Sequence, residues 1–142
     1  MTNIYTRKNA VFIDTGAWFA LASKNDHFHQ AATEHLKSLV KENILLVTSN
    51  FIIHETVMLI SRRISKSAAL KFLGEVYQDP VIEILPINAQ IEETALELFI
   101  KMKDQDFSIA DCTSFVLMRH NEIKRAFTFD GHFKTMKFTV EP

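Results

Sequence analysis

Val11-Phe12-Ile13-Asp14-Thr15-Gly16-Ala17-Trp18 is the stretch from which the fold is read. Three β-formers in a row, set between loop-like Arg7-Lys8-Asn9 and Gly16, make a short buried strand. The strand stops on an acid, Asp14, and the helix-compatible Ala17-Trp18-Phe19-Ala20-Leu21-Ala22 follows. A carboxylate at the end of a buried strand is costly unless something uses its charge. In open parallel α/β sheets that edge is where ligands bind. The remaining acids of the chain therefore matter for whether they can meet Asp14.

A length of 142 residues suits one domain over residues 1–142. With 47% apolar residues, 12 Phe and only 3 Gly and 3 Pro, the chain can bury a sizeable core. The net charge of −1 supplies no overall field for a nucleic acid and leaves only a local patch to do so. A single Cys112 excludes an intrachain disulfide and fits a reducing, cytoplasmic compartment. Residues 1–6 carry no apolar signal core, and no apolar run approaches the ~18 residues of a membrane span. A cytoplasmic protein with no membrane association is expected.

Strands and helices alternate along the rest of the chain. Asp26 is placed to cap a helix running to 42, with Ala31, Ala32, His35, Leu36, Leu39 and Val40 inward. A strand over 44–47 ends at Thr48-Ser49-Asn50, which can cap a helix over 51–63. Ser65 caps another, stopped by Asp79-Pro80. A third strand over 81–85 is ended by Pro86, Asn88 opens a helix to 103, and Ser108 opens one to 120. Residues 126–129 form a fourth strand and 137–140 an edge strand. This order predicts an α/β fold, a central parallel sheet of four to five strands with helices on both faces.

Three more acids stand in apolar company. Asp130 repeats the Asp14 pattern, a strand followed by an acid and then Gly131. If the two strands are parallel neighbours, both acids lie on one edge of the sheet. Glu55 has Phe51, Ile52, Met58 and Leu59 at helical spacing, a face that a solvated glutamate would avoid. Asp111 has Phe107 and Phe115 four residues to either side. Each has a plainer reading. Asp14 and Asp130 could begin turns, Glu55 could pair with a buried Arg or Lys, and Ser108 with Asp111 fits a capping box. One shared divalent cation would compensate all four at once. Oxygen ligands without a Cys or His cluster suit Mg2+ or Mn2+ over Zn2+. Such a site can activate water and brace a phosphodiester for in-line attack.

Ile13-Asp14-Thr15, the inward Glu55, Phe107-Ser108-Ile109-Ala110-Asp111-Cys112 and Thr128-Phe129-Asp130 together resemble the PIN-domain nucleases, particularly VapC-type toxins of bacterial toxin–antitoxin pairs. The resemblance runs from about Val11 to Val140, and Asp26-His27-Phe28-His29-Gln30-Ala31 resembles the start of that family's second helix. It implies a PIN-like three-layer α/β/α domain and a Mg2+- or Mn2+-dependent endoribonuclease. It also implies an RNA substrate, an antitoxin protein as partner, and a homodimer. Carried over residue by residue, Asp14, Glu55 and Asp111 match the three core acids, and Asp130 a fourth position that varies between Asp and Asn. Thr15 and Ser108 match hydroxyls near the metal. The near-neutral charge departs from what an RNA-cutting enzyme would be expected to carry.

Other signals read as structural. His27 and His29 have no third ligand at metal spacing and suit a helix start, His54 points to another helix face than Glu55, and Cys112 suits a buried inert thiol. Arg62, Arg63 and Lys66 read as a solvated face, with an RNA phosphate contact as the alternative. Trp18 reads as packing, with base stacking as the alternative. A receiver domain or a haloacid-dehalogenase-type phosphatase needs acids where this chain has Thr15, Gly16 and Thr48-Ser49. The remaining rivals are a stand-alone RNA-processing PIN nuclease and a non-catalytic PIN-like binding module, which would be expected to have lost acids.

Overall fold

A computed structural model describes residues 9–142; the loop-like Arg7 and Lys8 and the stretch over 1–6 lie outside the described residues. Five strands form one sheet in the order β3-β2-β1-β4-β5, every neighbouring pair parallel. They are β1 (Val11–Ile13), β2 (Leu46–Ser49), β3 (Ile82–Leu85), β4 (Arg125–Phe127) and β5 (Thr139–Glu141). The central strands read as unbroken apolar runs because both their faces are covered. Val11, Phe12 and Ile13 have no exposed surface at all.

From β1 the chain steps outward to β2 and β3, then returns to the other side of β1 for β4 and β5. Right-handed crossovers therefore put the first helices on one face and the later ones on the other. On the first face, α1 (Thr15–Ala22) packs on α2 (His29–Lys41) and α3 (Asn50–Arg63), and α3 packs on α4 (Lys66–Gln78). On the second, α5 (Ala89–Lys101) packs on α6 (Ile109–His120), and α6 on the short α7 (His132–Thr135). The architecture is the expected three-layer α/β/α domain.

Aromatic side chains fill the second interlayer. Phe12 stacks on Phe133, which meets Phe115 edge-on, and Phe115 meets Phe107 edge-on. On the first face Trp18 is buried against Phe72, and its indole N–H donates to Thr48 Oγ1 at 3.3 Å. Trp18 is thus a packing residue. The Thr48 hydroxyl in turn donates to the Ile13 carbonyl, tying β2 to the end of β1. The edge strand β5 is held by Glu141, which accepts two hydrogen bonds from Arg125 and one contact from His35 at 2.9 Å.

Most helix starts follow the expected caps. Ser49, Ser65, Asn88 and Ser108 each accept a hydrogen bond from a backbone N–H of their helix. Asp26 differs. Its carboxylate accepts the Phe28 N–H at 2.9 Å in a turn, and Phe28 itself takes the N-cap position without a side-chain cap. Ala31 and Val40 are exposed, so α2 buries a narrower stripe than its periodicity suggests. Strand β4 ends before Thr128, not at Phe129. There the Thr128 hydroxyl accepts the Asp130 N–H and turns the chain.

Candidate functional site

The sheet reverses its direction of growth at β1, so its switch point lies between β1 and β4. The C-terminal ends of these two strands form the edge where a crevice opens. Asp14 follows β1 directly and its N–H donates to the Phe127 carbonyl of β4. The register Ile13↔Phe127 puts Asp14 beside Thr128, and the Thr128 hydroxyl donates to Asp14 Oδ2 at 3.1 Å. Although Asp14 occupies the N-cap position of α1, its carboxylate makes no cap hydrogen bond. The plain capping explanation for this acid therefore fails, and its carboxylate faces the crevice with only 7% of the residue exposed.

Asp14, Glu55, Asp111 and Asp130 line one open cleft of about 540 Å3. Four segments distant in sequence deliver them: the end of β1, the middle of α3, the first turn of α6 and the loop before α7. Thr15 and Ser108 line the same cleft. Glu55 is half-buried, and among the described residues no Arg or Lys pairs with it. Its helix face is more open than its neighbours suggest, because Met58 is 58% exposed.

Asp111 carries two duties. Its Oδ2 accepts the Ser108 N–H at 3.0 Å while Ser108 Oγ accepts the Asp111 N–H at 2.9 Å, a complete capping box. A carboxylate has about four lone-pair sites, so the box leaves capacity on the cleft side. The box fixes where this acid stands and does not compete with a further role.

His132 joins these acids, with little in the sequence to mark it. Its Nδ1 lies 2.9 Å from Asp111 Oδ2 and 3.2 Å from Asp130 Oδ2, and its backbone N–H donates to Asp130 Oδ1. The signal was its place two residues after Asp130, in a helix too short to show a period. Asp111, Asp130 and His132 each offer an atom to a common point, all within 4.8 Å of one another. Burial alone would lower the His132 pKa. The Asp111 hydrogen bond and the charges of Asp130, Asp111 and Asp106 outweigh it and raise the pKa above the usual imidazole value.

Burial pushes the Asp14 carboxyl up from 3.8 to about 7, with the charges of Asp111 and Asp130 adding to the rise. The Thr15 backbone N–H and the Thr128 hydroxyl offset part of it. An acid held near neutrality by burial and like charge, inside a cleft, marks a functional site more often than a structural one. Thr15 Oγ1 is buried with no hydrogen-bond partner. An orphaned hydroxyl beside such acids is what a bound cation or its water would satisfy. The carboxylate and hydroxyl oxygens gathered here suit a divalent ion of the Mg2+ or Mn2+ kind.

The discounted residues divide. His29 Nδ1 lies 2.7 Å from the Ala20 carbonyl and ties α2 to α1, His54 is exposed, and Cys112 is buried, its thiol pushed up by burial and then by Asp111. Arg63 departs from its companions. It lines the cleft, with its guanidinium 5.6 Å from the centre of the Phe19 ring.

Comparison with known proteins agrees with this geometry. The family model described as PIN domain matches residues 11–139. The 23S rRNA-specific endonuclease VapC20 of Mycobacterium tuberculosis is 31% identical over 128 residues, covering 90% of this chain and 95% of that protein. A VapC ribonuclease of Archaeoglobus fulgidus is 31% identical over 127 residues, covering 87% and 79%. The crystal structure of M. tuberculosis VapC20, described as a sarcin–ricin loop cleaving toxin, superposes with a TM-score of 0.83 over 94% of this chain and all of that one. VapBC2 from Rickettsia felis, bound to a promoter DNA fragment, shares the fold at a TM-score of 0.70 and 16% identity, covering 93% and 97%. A family model that spans strands β1 to β4 and the whole acidic cleft, with a relative matched along 95% of its length, means that this chain belongs to the PIN-domain family.

Proposed function

We propose that this chain is a divalent-metal-dependent endoribonuclease acting as the toxin of a toxin–antitoxin pair. The observation that carries this reading is the convergence of Asp14, Glu55, Asp111 and Asp130 on one cleft, with Asp14 buried and its pKa raised to about 7. A binding module has no use for so costly a set. The relatives named as endonuclease and ribonuclease support the same chemistry, and VapC20 suggests a loop in structured RNA as substrate. Among the described residues no helix is long and apolar enough to cross a membrane.

Asp14, Glu55 and Asp111 would hold Mg2+ or Mn2+, with Asp130 supporting. The ion supplies a lowered pKa for attacking water and positive charge against the phosphate. The chain's own residues orient this set. Thr128 holds Asp14 through Oδ2, the Ser108 box fixes Asp111, and His132 bridges Asp111 and Asp130. Thr15 Oγ1, without a partner, is free to hold a water, and Arg63, which lines the cleft, would contact a neighbouring RNA phosphate. No side-chain nucleophile is needed.

An antitoxin protein and a second copy of the chain are the proposed partners. The VapBC2 complex and the FitAcB structure from Neisseria gonorrhoeae share the fold. On α5, Leu96, Phe99 and Ile100 are exposed at helical spacing, an apolar ridge suited to a homodimer. The test is direct. Purified protein cuts loop RNA with Mg2+ or Mn2+ and stops with EDTA, and Asp14→Asn and Asp111→Asn each abolish cutting. Cutting that persists unchanged in EDTA overturns the metal-dependent reading.

A further inference from the structure

We propose that Phe28 and Phe129 form a base-stacking subsite that takes an unpaired nucleobase of the RNA next to the phosphodiester being cut. The inference rests on the nuclease reading and names the part of the substrate that holds the RNA in place. The two rings lie 4.3 Å apart at 9° to one another, a flat parallel stack. Both line the acidic cleft. Phe129 stands between Thr128, which holds Asp14, and Asp130. The backbone therefore fixes Phe129, and with it the stack, in the same cleft as the acids.

The contact with Phe129 leaves much of Phe28 open. Phe28 is 42% exposed and occupies the N-cap position of α2, where Ser, Thr, Asp or Asn would satisfy a backbone N–H and a phenyl ring cannot. Its neighbours Asp26, His27, His29 and Gln30 are polar, so it belongs to no apolar run. The His27 ring meets it edge-on at 4.9 Å and extends the aromatic surface.

The charge of the chain favours such a subsite. With a net charge of −1 the protein has little general attraction for RNA, and six acids line the cleft itself. Stacking works without net charge and accepts any base, because every base has a π-face. A base belongs to the same molecule as the reacting phosphate, which favours RNA over a partner's side chain as the occupant.

Three proteins and one RNA test this. Wild type, Phe28→Leu and Phe28→Trp are compared on a loop RNA carrying 2-aminopurine beside the cleaved bond. Rapid mixing with Mn2+ reads fluorescence before cutting, and steady-state rates give kcat and KM. Leucine keeps apolar bulk and loses the π-face; tryptophan keeps it. Phe28→Leu is expected to raise KM on the order of tenfold, within the about 5- to 150-fold that stacking one base supplies. Its kcat should fall by less than KM rises, and its 2-aminopurine should no longer be quenched. Phe28→Trp should restore both. A Phe28→Leu protein that melts like wild type and still binds and quenches the RNA as wild type does overturns the subsite and leaves the stack as a protein contact. A failure of Phe28→Trp to restore KM and quenching, when it melts like wild type, overturns it equally. Wild type that neither binds nor cuts RNA defeats the nuclease reading itself, a separate and visible result.

Discussion

Replacing Asp14 by asparagine tests whether the site stores charge for a cation. In the metal-free protein the Asp14 pKa rises from 3.8 to about 7, chiefly because the carboxyl is buried. A folded-state pKa above the unfolded one means that the folded chain binds this proton more tightly. Stability from the neutral acid is therefore complete below pH 3.8 and is lost as pH rises toward 7, after which it changes no further. The loss is about 1.4 kcal/mol per pH unit and totals about 4 kcal/mol. The asparagine side chain would keep an acceptor for the Thr128 hydroxyl and carry no charge, so the mutant lacks this decline. Urea unfolding in EDTA at pH 4, 5.5, 8 and 9 should show the mutant gaining on wild type with pH and levelling off above 7. Added Mn2+ should close most of that gap, because wild type gains about 2.7 kcal/mol at 100 times its Kd and the mutant little. In a melt that gain is about 6–11 °C for a chain of this size. If Asp14 only capped α1, the mutant would be weaker by about 0.5–2 kcal/mol at every pH and Mn2+ would move neither protein. That pattern would refute the reasoning.

Two further substitutions probe how the scaffold holds the acids. Thr48→Val leaves the buried Trp18 N–H and the Ile13 carbonyl without their partner, and should cost about 1–3 kcal/mol in urea unfolding. Ser108→Ala removes half of the capping box and should cost about 1 kcal/mol. Because the same box orients Asp111, Mn2+ affinity by calorimetry should also fall, by about 10-fold or more.

Much of this is legible in the sequence, for reasons particular residues make clear. Val11-Phe12-Ile13 lies in the middle of the sheet, so its strand is apolar on both faces and stands out. Ser49, Ser65, Asn88 and Ser108 act through local hydrogen bonds, which sequence spacing reports directly. The strand order was not legible, because the return from β3 to the far side of β1 depends on which helix faces find each other. Asp26 has the residue type of a cap, yet its carboxylate closes a turn onto Phe28, just before α2. Met58 and Phe51 made the Glu55 face look closed, but spacing cannot show how much of Met58 the neighbouring elements leave exposed. His132 was hidden because its partner Asp111 is 21 residues away in sequence and its own helix spans four residues. Phe28 and Phe129, a hundred residues apart, join only when α2 folds over the end of β4.

The charges around the cleft also order the events there. Asp14, Asp26, Glu55, Asp106, Asp111 and Asp130 line it, against Arg63 and His132. A phosphate approaching that set alone meets like charge in a partly desolvated crevice, where repulsion is stronger than in water. Asp14, with its pKa raised to about 7, removes one negative charge only while protonated. His132 faces Asp111 and Asp130, so a proton on its ring, which its raised pKa favours, serves those acids first. Neither device can make room for a phosphodiester, but a divalent ion among the acids can. The same ion would release the Asp14 proton, satisfy Thr15 Oγ1 and turn the acidic floor from a barrier into a phosphate site. Cation before RNA is the order that this charge distribution favours, with the Phe28–Phe129 stack supplying the attraction that the near-neutral chain does not.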